Sequence, residues 1–445
     1  MKFEVAYIPI GVPTFHLESA QIEFEKSIRL ISSLTEEAVY PENMLLSIND
    51  LNSYLDTINP GLIILQNITF ANAAYASEIL KRFTCPVLLW TLREPVIDGG
   101  RLRLNSLTGA YSAGNALRAF RDGEFEYIFG SPEEEAVAAC VGAAIRAARV
   151  KHQLRDLKMA SIGHTPQGFG FGRALDAELM HGFGVTLDSI EARELIDKAK
   201  SYTDEECASY LEEAKAMMGS LDETPEKNVK DFARLYKAYR MYVEENRIGA
   251  LSSRCWPDFF TAFGTPVCSV LSLLNALGTA ASCESDVYGA LSMYIGMQLT
   301  GNAAFFGDPV SMDEKEGTIT FWHCGMAPCT LARKDTGAEV GVHPNRKIGP
   351  VMDFGCQAWD KVTVFRVGRR ADGSFRFFIA SGEALDRPKQ FCGTSVVVKT
   401  DHDAKDIIVK SVKSGWEPHF VVIYGDVAEE LTMLAHMLGM EACIY

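Results

Sequence analysis

The chain has 445 residues, room for roughly three domains at about 150 residues each. Its 47% hydrophobic and 23% charged residues describe an ordinary globular protein and exclude a lone small module or global disorder. Lys and Arg number 43 against 58 Asp and Glu, a net charge of −15 that repels phosphate backbones and anionic lipid, so neither nucleic acid nor a membrane is an expected partner.

Met1 to Ile10 reads as a first β-strand; it lacks the apolar run and cleavage site of a signal peptide, which predicts a cytoplasmic protein. No stretch offers the 18 or so apolar residues of a membrane span. Helical patterns follow at about Leu17 to Ser33, Ile48 to Ile58 and Ala71 to Phe83, interleaved with the apolar runs after Gly61 (LIIL) and Pro86 (VLLW). Short apolar runs between helices indicate buried parallel strands, an α/β layer. An Ala-rich helix from Glu133 to Gln153 leads into a strand at Leu157, a glycine-rich turn, a strand at Val185 and a charged amphipathic stretch from Thr203 to Asn246. These predict a second, Rossmann-like layer, in which Ile248 to Phe260 runs from strand into loop and offers Trp256 to a ligand. Beyond Asp308, alternating segments begin at Thr318, Lys361, Ser374, Thr394 and His419; period-two alternation with Gly and Asp turns predicts an antiparallel sheet or barrel.

Eleven cysteines scattered among apolar neighbours suit reduced thiols better than a disulfide framework. The turn from Gly163 has glycines at 163, 168, 170 and 172, which does not reproduce G-x-G-x-x-G, so a strand-to-helix turn that needs flexible backbone is the favoured explanation. No Walker lysine and no G-x-S-x-G elbow occurs. More informative are acids and imidazoles in the last third: Glu284 before an apolar helix, Asp308 between Gly307 and Pro309 at a strand end or tight turn, His323 ending one strand and His419 preceding another. Helix capping, turn formation and structural histidines are the alternatives. Together, two carboxylates and one or two imidazoles form an O/O/N set that suits a divalent ion such as manganese.

The ordered segments SIGHTPQGFGFGRALDAELMHGFGV, ASCESDVYGALSMYIGMQLTG, GDP, TFWHCG and GWEPHFVVIYGD make nearly the whole chain resemble the L-fucose/L-arabinose isomerase superfamily, in particular its fucose isomerase-like branch. The resemblance implies two Rossmann-like α/β domains (1–153 and 154–306) followed by a C-terminal β-rich barrel-like domain (307–445). It also implies a homo-oligomer whose active sites, between the second and third domains, are closed by a neighbouring subunit. It carries the metal ligands onto Glu284, Asp308 and His419, for Mn²⁺ or another divalent cation, and leaves His323 as a fourth ligand or, as favoured here, a substrate contact. Asn105, Ser106 and Gly109 become sugar contacts in trans. The chain is shorter than the fucose enzymes, so contacts on their insertions do not transfer.

The expected activity is aldose–ketose isomerisation of a monosaccharide through an enediolate, with Glu284 and Asp308 moving the proton. Arg93, Arg101 and Arg103 suggest a guanidinium grip on an anionic substituent; some relatives isomerise sulfoquinovose. Surface ion pairs explain the same arginines, and a solvated loop explains Asn105, Ser106 and Gly109. A non-catalytic sugar-binding protein is the rival class, and a dinucleotide-dependent dehydrogenase a third; the acid and histidine set argues against the first, the imperfect glycine spacing against the second.

Overall fold

The computed structural model describes residues 2–120 and 125–445. The chain forms two compact units, Met1–Gln153 with Glu429–Met440, and Leu154–Ala428 with Glu441–Tyr445.

The first unit is built on a wholly parallel sheet of β1 (Val5–Ile10), β2 (Ala38–Val39), β3 (Leu62–Asn67), β4 (Val87–Thr91) and β5 (Glu126–Phe129), in the order β2-β1-β3-β4-β5. Strands β1, β3 and β4 are buried along their whole length, which is why they read as unbroken apolar runs. Side-chain caps start the intervening helices: the Ser47 hydroxyl accepts the Asp50 N–H at 3.1 Å, and the Asn72 amide oxygen that of Ala74 at 3.0 Å.

The second unit opens with a second parallel sheet, β6 (Lys158–Ile162), β7 (Thr186–Ile190), β8 (Ala250–Ser253) and β9 (Ala280–Cys283), ordered β7-β6-β8-β9. The charged stretch after Thr203 resolves into helices Asp204–Met217 and Glu226–Asn246, the former opened by a capping box between Thr203 and Glu206. The helix after β9, Val287–Thr300, is buried on almost every side. It packs against β8 and β9 of the parallel sheet on one side and against strands of the C-terminal barrel on the other.

That barrel is closed. Its strands are β10 (Ala304–Asp313), β11 (Thr318–His323), β14 (Trp359–Arg369), β15 (Phe375–Ala384), β16 (Thr394–Thr400) and β17 (Phe420–Ile423). A two-stranded ribbon, β12 (Val340–Gly341) and β13 (Val351–Met352), lies between β11 and β14 in sequence. The ring runs β14-β17-β10-β11-β16-β15 and closes through β14–β15, every pairing antiparallel; β18 (Glu441–Ile444) adds to β15 in parallel. Closure leaves the six ring strands no free edge.

One local expectation is corrected and one alternative is removed. Asp308 lies inside β10, not at a strand end: it pairs with Trp322, and the register breaks only after Pro309. The residue that caps helix Val287–Thr300 is Asp286, whose carboxylate accepts the Gly289 N–H at 2.9 Å; Glu284 stands two residues earlier, free of that duty. No described helix is long and apolar enough to cross a membrane.

Candidate active site

The carboxyl ends of β8 and β9 deliver Trp256 and Glu284, and the barrel delivers Asp308 from β10, His323 from β11 and His419 from the residue before β17. The carboxyl edge of a parallel sheet is where ligands bind in open α/β structures. Glu284 and Ser285 both adopt left-handed backbone, with φ of 59° and 55°, at a cost of about 1–2 kcal/mol per non-glycine residue. This turn separates Glu284 from the helix that begins at Val287. In the barrel, Gly307 pairs with Phe420 and Asp308 with Trp322, so neighbouring strands place Asp308, His323 and His419 side by side.

His419 is the hub. Its Nε2 lies 3.1 Å from Glu284 Oε2 and 3.6 Å from Asp308 Oδ1. Its Nδ1 donates to Asp286 Oδ2 at 2.9 Å. The Asp286 carboxylate also receives both terminal nitrogens of Arg366, and Asp286 and Arg366 are entirely buried. Trp256 Nε1 donates to Glu284 Oε1 at 2.9 Å. The glycine-rich loop after β6 brings the Phe169 and Phe171 rings to 6.3 and 5.5 Å from the His419 ring. Glycine is needed at 172 because a Cβ there would stand 2.7 Å from the Asp286 Cα.

One ligand atom from each of Glu284, His323 and His419 falls within 4.8 Å of the others. His323 is buried, and its Nδ1 has no hydrogen-bond partner among the described residues. A buried unpartnered imidazole nitrogen beside a second imidazole and a carboxylate is a donor set that a divalent cation satisfies, so the residues fit a metal. Asp286 behind His419 supplies the orienting carboxylate that metal-binding histidines ordinarily have.

Burial pushes the Asp308 carboxyl up, to about 6, against the pull of His419 and with repulsion from Glu284 and Asp286 added. Glu284 is buried too, yet its hydrogen bond with His419 and the charges of both histidines hold it below the usual carboxylate range. Burial disfavours charge on His419, but the hydrogen bonds to Asp286 and Glu284 outweigh it and raise the imidazole to about 9. His323, buried without such partners, is pushed down to about 4. The site thus holds two carboxylates and two imidazoles whose proton affinities are split in opposite directions.

The structure therefore gathers Glu284, Asp308, His323, His419 and Trp256 in the second unit, with His323 among the potential ligands. The other expected contacts lie in the first unit. Arg93 forms a two-pronged ion pair with Glu134 at 2.7 and 2.8 Å and stands 4.7 Å over the Phe129 ring. Arg101 donates to the Thr14 carbonyl at 2.6 Å, and Arg103 lies 4.0 Å from Asp98. Asn105, at φ 55°, accepts from the Thr108 hydroxyl at 2.7 Å. Ser106 and Gly109 are buried: the Ser106 hydroxyl accepts the Leu92 N–H at 2.8 Å and donates to the Asn67 carbonyl, and Gly109 packs on the Asn67 side chain. Sequence reasoning missed Asp286 as an orienting group, Arg366, Phe169 and Phe171. The one available signal was Arg366, a charge inside the apolar stretch VTVFRVG.

No family model matches the chain. It is 67% identical over 444 residues to the sulfoquinovose isomerase of Clostridium sp. (strain MSTE9), covering 100% of this chain and 99% of that one. It is 39% identical over 445 residues to the sulfoquinovose isomerase of Priestia aryabhattai, with 99% of each covered, and 35% identical over 439 residues to that of Alkalicoccus urumqiensis, with 98% of each covered. The protein is a sugar isomerase, an enzyme that interconverts an aldose and a ketose. The chain belongs to the sulfoquinovose isomerase family.

Proposed function

We propose that the substrate is sulfoquinovose, a hexose with a sulfonate on C6, and that it is interconverted with the corresponding 2-ketose through an enediolate. Glu284, Asp308 and His419 are assigned to a manganese ion, with His323 as the adjoining imidazole, a fourth ligand or a donor to the sugar. When bound, the ion supplies Lewis-acid stabilisation of the charge that develops on the two substrate oxygens. Isomerisation moves one proton between C1 and C2 and another between their oxygens, so the residues must hold protons in split states. Glu284, kept deprotonated by His419, is the group suited to accept a proton from carbon, and Asp308, pushed up to about 6, the group suited to return one. Trp256 fixes one oxygen of Glu284, and Phe169 and Phe171 keep water from the His419 face.

The observation that carries this reading is the approach of Glu284 and Asp308 to the same nitrogen of His419, in a chain 67% identical over its whole length to a sulfoquinovose isomerase. We further place the chain in the L-fucose/L-arabinose isomerase superfamily, as a cytoplasmic homo-oligomer of three-domain subunits with two Rossmann-like layers. Arg93, Arg101 and Asn105 then belong to the surface that meets a neighbouring subunit's sugar, while Ser106 and Gly109, buried beneath it, support the loop rather than touch the sugar. The test is ketose formation from sulfoquinovose, followed by NMR, before and after chelation with EDTA and after adding Mn²⁺. Turnover is expected to vanish with EDTA and return with Mn²⁺; full activity after exhaustive chelation would remove the metal from the mechanism.

A further inference from the structure

The loop between β12 and β13 carries a cation that no motif pointed to. Arg346 is exposed, its guanidinium carbon 5.7 Å from the centre of the Trp256 ring and 5.9 Å from that of Phe260. Among the described residues it makes no ion pair, whereas the other arginine beside Trp256, Arg254, is committed to Asp258 at 2.7 Å. The loop is shaped by His343, whose Nδ1 accepts the backbone N–H of Asn345 and of Arg346 at 3.2 and 3.3 Å and whose ring meets Phe260 edge-on at 5.1 Å. Burial and the Arg346 charge push His343 down to about 4, so at neutral pH the imidazole is uncharged and the guanidinium is the charge facing Trp256.

Trp256 is the link. Its Nε1 holds Glu284, and its ring carries Arg346. A sugar whose C1 and C2 lie at Glu284 and Asp308 and whose chain runs along the indole therefore ends at a guanidinium. We propose that Arg346 is the specificity-determining residue that recognises an anionic group, a sulfonate, on the far end of the sugar. A guanidinium presents a planar fork of donors to such an oxyanion, and its cation–π contacts with two rings limit the freedom it loses on binding. This inference rests on the reading of the substrate as a sulfonated hexose and says which residue of this chain selects it.

The experiment compares kcat and KM on sulfoquinovose and on 6-deoxyglucose, which differs only in lacking the sulfonate, for the wild type, Arg346→Gln, Arg346→Lys and, in the first unit, Arg101→Gln. The glutamine variant is expected to lower the ratio of the two kcat/KM values by about 10- to 100-fold, mainly through KM for the sulfonated sugar, with lysine recovering part of it. Arg346 is exposed, so the fold is expected to survive, and an unchanged melting temperature verifies it. A ratio unaltered in Arg346→Gln, or lowered only in Arg101→Gln, overturns the assignment. Wild-type enzyme that does not turn over sulfoquinovose overturns the substrate reading itself, a result separate from the ratio.

Discussion

Asp286 and His419 meet at 2.9 Å across 133 positions of sequence, and that contact decides which nitrogen of the imidazole faces Glu284 and Asp308. The same carboxylate neutralises Arg366 and caps helix Val287–Thr300. Asp286→Asn keeps the size and the cap but removes the charge. Breaking a buried pair from one side costs about 3–5 kcal/mol because the partner charge stays buried, and losing an orienting carboxylate weakens metal binding about 10- to 100-fold. We expect a lowered melting temperature together with weaker Mn²⁺ binding by titration. A variant that melts as the wild type does and binds Mn²⁺ normally would show that Asp286 does neither task.

On the proposed assignment of His419 as a metal ligand, proton and cation compete for its Nε2. The imidazole is raised to about 9 from an ordinary value of 6.5, so in the metal-free protein its contribution to stability is fully present below pH 6.5 and lost as pH rises through about 9. The converse holds for the cation, which must displace that proton. Mn²⁺ affinity is expected to rise by up to about tenfold per pH unit between pH 6.5 and 8.5, with close to one proton released per ion. Asp308, raised to about 6, adds a further loss of affinity below that pH. Titration calorimetry in buffers of different ionisation enthalpy counts the released protons, and an affinity flat across this range would contradict the pairing of His419 with Asp286 and Glu284.

Glu284, Asp308, His323 and His419 are legible in the sequence because each is a polar residue set against an apolar stretch, and because their segments occur in a recognisable order. The barrel strands are legible one by one from their alternation. Their ring order is not, because β10 pairs with β17 more than a hundred residues away, and such pairings are set by packing rather than by local pattern. Arg366 shows the limit: a charge in an apolar strand announces a buried partner, but only barrel closure reveals Asp286, 80 positions earlier. Arg346 lies in a short polar loop that carries no pattern, and it acquires meaning only from the ring beneath it.

Trp256 has two roles that substitution can separate. Trp256→Phe keeps an aromatic surface under Arg346 and removes the N–H that holds Glu284 Oε1. A hydrogen bond to a charged carboxylate contributes about 1.5–3 kcal/mol, so kcat/KM is expected to fall about 10- to 100-fold on sulfonated and neutral sugars alike, since the loss falls at the reacting end. Steady-state kinetics on both sugars checks this. Rates equal to wild type would mean that Glu284 is held well enough by His419 alone.

Gly307 tests whether the spacing of β10 and β11 matters to the site. A Cβ at this position would stand 2.5 Å from the Trp322 carbonyl oxygen and 2.8 Å from the Phe305 ring, neither of which is the free end of a flexible side chain. Gly307→Ala therefore pushes β10 off β11 beside Asp308, whose register partner is Trp322 itself. Overpacking of this kind costs about 1–3 kcal/mol, and the shift separates Asp308 from the two histidines. Reduced thermal stability and weakened Mn²⁺ binding are expected together. Gly170→Ala is the comparison, since a Cβ there meets nothing within 4 Å and its backbone is not left-handed; it should melt and bind as the wild type does. If Gly307→Ala also behaves as the wild type, the close approach of the two strands is not what places Asp308.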